Sequence, residues 1–200
     1  MARRSVDSVD RGVREIRSVS RWRAHARRHP LRYRSAVVAP SAIEVIRHAG
    51  GWLFDRTAAG WEVTVLVSDH ADVRPLRILG ATVLDLEQSL ATPVHDTWPT
   101  AVAVAARTYR SDARVRDGVL DCLDRGLTEV AVWGADLPAE LDQRVGPARH
   151  EMSVAAKAFK SCALTAAGLP AEVAGSSEVF RTGGLRPSTY RCEVDLVPAQ

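Results

Sequence analysis

Trp61-Glu62-Val63-Thr64-Val65-Leu66-Val67, followed at once by Ser68-Asp69-His70, is the stretch on which the fold turns. Its β-branched and aromatic residues favour a pleated, extended backbone. Apolar residues at Val65, Leu66 and Val67 break strict alternation. That run predicts a strand covered on both faces, as strands of a parallel sheet between helices are.

The neighbouring segments extend this reading. A short helix over Arg74–Leu79, stopped by Gly80, leads to a second strand at Ala81–Leu86. Strand, helix and strand at this spacing describe a compact βαβ unit with a parallel pair. Upstream, Pro40-Ser41 starts a helix, and Glu44 lies three residues after Ser41 as a capping box requires. Gly50-Gly51 interrupts that helix and Gly60 ends it.

Downstream, the Ala-rich segment from Pro99 to Tyr109 reads as helix. Ser111 caps a further helix through Arg125, which Gly126 closes. Thr128–Trp133 is another buried strand, followed by Gly134-Ala135-Asp136. Pro138–Pro147 reads as loop and His150–Ala167 as helix. Ser176–Arg181 and Thr189–Val197 read as strands around a turn at Gly183–Pro187. The fold class is α/β: a Rossmann-like three-layer sandwich with a mostly parallel sheet, over residues 35–200.

Residues 1–34 form a separate, arginine-rich arm. They carry eleven Arg against Asp7, Asp10 and Glu15, a net +8, while the remaining residues sum to −5. Val6, Val9, Val13, Ile16, Val19 and Trp22 recur at spacings of three and four, which is a helical stripe with arginine on the other faces. His29-Pro30 breaks it. With 46% hydrophobic and 26% charged residues the chain is of ordinary globular composition. No apolar run approaches the ~18–20 residues of a membrane span. No apolar core follows the N-terminal arginines, so the expected location is cytoplasmic.

Motifs with defined chemistry are missing. The glycine pairs at Gly50-Gly51 and Gly183-Gly184 lack the spacing and context of a dinucleotide loop, and no P-loop or nucleophile elbow is present. Lys157 and Lys160 lie in one helix and read as a solvated face. Cys122, Cys162 and Cys192 form no CxxC pair, and His48, His70, His95 and His150 show no paired spacing. No metal site and no cofactor is expected. Val65–Asp72 resembles the start of a response-regulator receiver domain. The resemblance stops there, because a single Asp69 stands where that family has an acidic pair and no lysine follows a late strand.

Two readings of function remain. The first is a non-enzymatic binding or regulatory module whose arm contacts an anionic partner, nucleic acid foremost, through Arg14, Arg17, Arg21, Arg23, Arg27 and Arg28. The same charge also suits an anionic membrane surface, or the acidic body itself. The alternative is a small-molecule enzyme with its site at the carboxyl ends of the central strands, where ligands gather in open α/β sheets. Its candidate catalytic residues are Asp69, His70 and Asp136. Plain helix capping by Ser68 or Asp69 competes with that assignment.

Overall fold

The computed structural model describes residues 16–29, 33–91, 98–171, 175–184 and 197–198. Eight strands form one sheet: β1 Arg34–Ser41, β2 Glu62–Asp69, β3 Thr82–Asp85, β4 Ala101–Ala105, β5 Glu129–Trp133, β6 Gly146–Glu151, β7 Ser177–Gly183 and β8 Val197–Pro198. The helices are α1 Val19–Arg28, α2 Ala42–Ala58, α3 Arg74–Ile78, α4 Leu86–Leu90, α5 Ala106–Ser111, α6 Ala113–Arg125, α7 Ala139–Asp142 and α8 Val154–Ala166. Strand order is β3-β2-β1-β4-β5-β7-β6-β8.

The expected α/β class holds, but the sheet is mixed. β1 to β5 pair in parallel. β7 joins β5 antiparallel, and β6 and β8 continue that way. The β2–α3–β3 unit is present as read, including parallel pairing in register from Thr64–Thr82 to Val67–Asp85.

Both sheet faces are covered. On one face Val37, Val65, Val67, Ala103 and Ala131 pack against Ile46, Trp52 and Leu53 of α2 and Leu76 of α3. On the other, Val38, Val102, Val104, Val130 and Val132 pack against Tyr109 of α5 and Val115 and Val119 of α6. This two-sided burial explains the misreading of Pro99–Tyr109. Ala101–Ala105 is a strand buried at every residue, and alanine fits there because a central strand has helices pressing from both sides. Helix begins only at Ala106.

Other elements differ for physical reasons. β1 went unread because its short apolar run is bounded by Arg34 and Ser41, both of which turn out to be engaged side chains. Gly146–Glu151 is strand, so His150 opens no helix. The following helix starts at Val154, capped by Ser153. Asp112, not Ser111, caps α6 by accepting from the Arg114 amide. α7 occupies part of the expected loop. Most of the expected Thr189–Val197 strand, and Val6, Val9 and Val13 of the helical stripe, lie outside the described residues.

The expected interruption of α2 at Gly50-Gly51 takes an unusual form. The helix runs unbroken from Ala42 to Ala58, yet the amides of Gly51 and Trp52 donate to the carboxylate of Glu178 at 2.8 Å each. A regular helix would aim them at the Arg47 and His48 carbonyls. Lys160 Nζ occupies the Arg47 carbonyl at 2.7 Å and pairs with Glu178 Oε1 at 2.6 Å. The Lys160–Glu178 pair thus bonds backbone groups in mid-helix, and Lys160 is buried rather than solvated. A Cβ added at Gly51 would stand 2.3 Å from Met152 Sδ, so any larger residue there requires Met152 to shift.

The described part of the arm lies on the body. α1 buries Val19 and Ala26, Ile16 packs against the core, and the Arg17 amide donates to the Val83 carbonyl of edge strand β3.

Candidate functional site

Parallel pairing of β1 to β5 brings their carboxyl ends to one edge of the molecule. The direction of chain progression reverses between β1 and β4, the position at which ligands gather in open α/β sheets. The residues arriving at this rim are Ser41 on β1, Asp69 and His70 on β2, Asp85 on β3, Ala105 and Ala106 on β4, and Gly134 to Asp136 after β5.

Four of these, Ser41, Asp69, His70 and Asp85, form the polar part of the rim. Ser41 faces Asp69 in the β1–β2 register, and its Oγ accepts from the Glu44 amide, capping α2 as read from sequence. Asp69 Oδ1 accepts from the Ala71 amide at 2.9 Å, so this carboxylate shapes the turn after β2. His70 Nε2 lies 2.9 Å from Asp85 Oδ2 and 3.1 Å from the Val67 carbonyl. Both partners are acceptors, so Nε2 carries the proton and Nδ1 is the ring's basic nitrogen.

Asp85 is itself anchored. Its Oδ1 accepts from the Gln88 amide at 2.6 Å, and its carbonyl accepts from Ser89 Oγ at 2.6 Å. The carboxylate therefore caps α4 with one oxygen and orients His70 with the other. Sequence reading missed Asp85, although a polar residue ending the strand parallel to β2 was the signal available.

Asp136 is not part of this group. β1 and β4 lie between β2 and β5, so three inter-strand steps of about 4.8 Å set it roughly 14 Å from the His70 end. It adopts the left-handed region, with φ 58°, and its carbonyl accepts from Arg110 at 3.0 Å. Between the two lie Ala105, Ala106 and Gly134, small groups without polar side chains. Nearby, Tyr109 Oη donates to Glu140 Oε1 at 2.9 Å. Burial, then the Glu140 carboxylate, pushes its phenol up to about 12, which keeps it a neutral donor.

The remaining candidates separate clearly. His48 is exposed on α2, and His95 and Cys192 lie outside the described residues. Burial pushes the Cys122 thiol up, which makes it a poor nucleophile. His150 is buried in β6, with Nε2 2.8 Å from Asp55 Oδ2, and Ser153 Oγ donates to Asp55 Oδ1 at 2.5 Å. Serine, histidine and aspartate meet here, but not as a nucleophile and its base. Both His150 and Ser153 address the same carboxylate, so nothing takes the serine proton toward the ring. Among the described residues, no three His, Cys, Asp or Glu side chains gather as a metal-binding group.

Of the arm arginines, Arg14 lies outside the described residues. Arg17, Arg21, Arg27 and Arg28 are exposed, whereas Arg23 reaches across to the Ser89 carbonyl at 3.2 Å. Among the described residues no helix is long and apolar enough to cross a membrane.

The architecture defines a class: an α/β protein with a mixed sheet, helices on both faces, and a polar rim at the ends of its parallel strands. No protein-family model matches the chain, and no curated protein matches it. Solved structures do. The antimicrobial reagent A40926 pseudoaglycone deacetylase Dbv21 superposes with a TM-score of 0.51 at 15% identity, covering 67% of this chain and 81% of that one. A deacetylase of the teicoplanin biosynthesis pathway, solved with teicoplanin, gives 0.50 at 11% identity, covering 76% and 99%. A triple mutant of a deacetylase of that pathway gives 0.50 at 13% identity, covering 78% and 100%. Identities this low establish a shared fold.

That finding corrects the first functional reading: the fold is shared with deacetylases, where that reading expected a non-enzymatic binding module. Contact with nucleic acid or another anionic partner through the arm has no support from the structure.

Proposed function

We propose that this chain acts on a small molecule at the carboxyl rim of its parallel strands, in a hydrolytic reaction of the deacetylase kind, with His70 as general base. The observation that carries this reading is the His70–Asp85 pair. Asp85 holds Nε2–H at 2.9 Å, which leaves Nδ1 to take a proton from an attacking water. His70 is half-buried, with 30% of its side chain exposed, so a substrate reaches it from the rim. Asp69 shapes the turn that carries His70. The Rossmann-like order of β3-β2-β1-β4-β5 supports the location, since ligands sit where such an order reverses.

Acetate release from a panel of acetylated small molecules tests this. His70→Ala is expected to lower turnover about 100-fold or more, the usual contribution of a positioned base, with the fold retained. Unchanged turnover in His70→Ala sinks the assignment. One observation favours a second reading, a fold kept as a scaffold without chemistry: Ala105, Ala106 and Gly134 leave the β4 side of the rim without polar side chains. That reading predicts no acetate release across the panel from well-folded protein.

A further inference from the structure

A cavity of about 140 Å³ lies under α1, on the sheet face that carries α4 to α6, and Leu84 and Ser89 of its wall adjoin the rim residue Asp85. The helices on this face are short near β1 to β3: α4 has five residues and α5 six. They leave the inner ends of these strands uncovered. α1 roofs the gap from the arm side and Trp98-Pro99 walls it from the β4 side, and the space between them stays open. Its lining is mainly apolar: Val19, Trp22, Ala36, Leu66, Leu84 and Trp98.

Several of the polar residues at its margin have partners within the protein. Arg34 donates to Glu62 at 3.0 Å and to the carbonyls of Ala26 and His29. Ser35 Oγ accepts from Arg56 at 3.2 Å. Ser89 donates its hydroxyl to Asp85, and its carbonyl accepts from Arg23. Apolar cavities of about this size take up a single aromatic ring, and the wall of this one is mainly apolar. Two indoles in the wall supply the flat faces and edges against which such a ring packs.

We infer that the space between α1 and the sheet is a binding site for a small, uncharged, single-ring aromatic molecule. The site is independent of the rim chemistry and is formed only when the arm helix is in place.

Fluorobenzene is a suitable probe, followed by fluorine NMR of the ligand and carbon-13 methyl spectra of the full chain. Saturable shifts of the Val19, Leu66 and Leu84 methyls are expected. Ala36→Phe, which places a ring in the space, is expected to weaken binding about tenfold or more and to raise Tm in the absence of ligand. Leu84→Ala guards against misfolding of the first variant, since the enlarged space is expected to admit naphthalene, which the wild type rejects. Non-saturable shifts, binding unaffected by Ala36→Phe, or equal naphthalene binding by wild type and Leu84→Ala would overturn the inference.

Discussion

The two halves of the sheet are held by different physics. In the parallel half, β1 to β5 are buried mainly by aliphatic side chains on both faces, with the Arg34–Glu62 pair and the Arg56 contacts to Ser35 and Glu129 confined to the strands' starting ends. In the antiparallel half, β6 and β7 are fastened to α2 by buried charges. Glu178 and Lys160 bond backbone groups of α2, and Asp55 on α2 holds His150 and Ser153. Arg56, fully buried, is clasped between Trp52 and Trp61 with its guanidinium 4.5 and 4.2 Å from the ring centres. It donates to Glu129 at 2.7 Å and so ties α2 to the start of β5. The contrast teaches that dense buried polarity is not by itself a functional site. Here it is the fastening of an added sheet extension, while the candidate site holds fewer and more exposed groups.

The contrast breaks most readily at Glu178. Glu178→Ala takes the counter-charge from buried Lys160 and the carboxylate from the Gly51 and Trp52 amides, and a loss of about 3–5 kcal/mol is expected in chemical denaturation. Ordinary buried ion pairs tolerate joint apolar replacement. Glu178→Leu with Lys160→Met should not recover wild-type stability, because the Gly51 and Trp52 amides still lack the carboxylate. Full recovery would show that the carboxylate is not a helix partner.

Arg56→Met is expected to cost about 3 kcal/mol through the stranded Glu129 carboxylate and the lost stacking. Gly51→Ala should cost about 1–3 kcal/mol by overpacking, and Met152→Ala in the same chain should relieve part of that cost. Tm differences between the single and double variants measure the coupling.

Legibility followed the same divide. The β2–α3–β3 unit, β5 and the ends of α2 and α6 could be read because apolar runs and terminal glycines report burial and capping locally. β4 was taken for helix because alanine and valine suit either state until the covering helices are known. β6 and the burial of Lys160 depend on partners far away in sequence: Asp55 meets His150 across 95 positions, and Gly51 meets Glu178 across 127. No local pattern announces such pairs. At the site, Asp69 and His70 were legible as polar residues after a strand. Asp85 was not, because it lay inside the expected Ala81–Leu86 strand, whereas β3 ends at Asp85. Asp136 was drawn in by direction alone, since strand order was not available to separate it.

Smaller effects sharpen the parallel half. The raised Tyr109 phenol means that its neutral form contributes stability below the ordinary tyrosine value, and this is lost as pH rises through about 12. Alkaline titration should show one of the chain's three tyrosines ionising late, and Tyr109→Phe should remove that phase at a cost of about 1 kcal/mol. Hydrogen bonds from Arg114 hold Asp112 and Glu87 below their ordinary values. Their contribution is present above those values and disappears as pH falls through the lower, folded-state ones. All three groups are solvent-screened, so Arg114→Gln should only slightly flatten the acid side of a Tm-against-pH profile.

The most direct test of the rim site is acetate turnover by Asp85→Asn beside Asp136→Asn, measured on matched, folded protein. The account predicts a loss of about 100-fold or more for Asp85→Asn, because the base loses the partner that fixes its tautomer, and wild-type turnover for Asp136→Asn. Turnover lost in Asp136→Asn and kept in Asp85→Asn would contradict it.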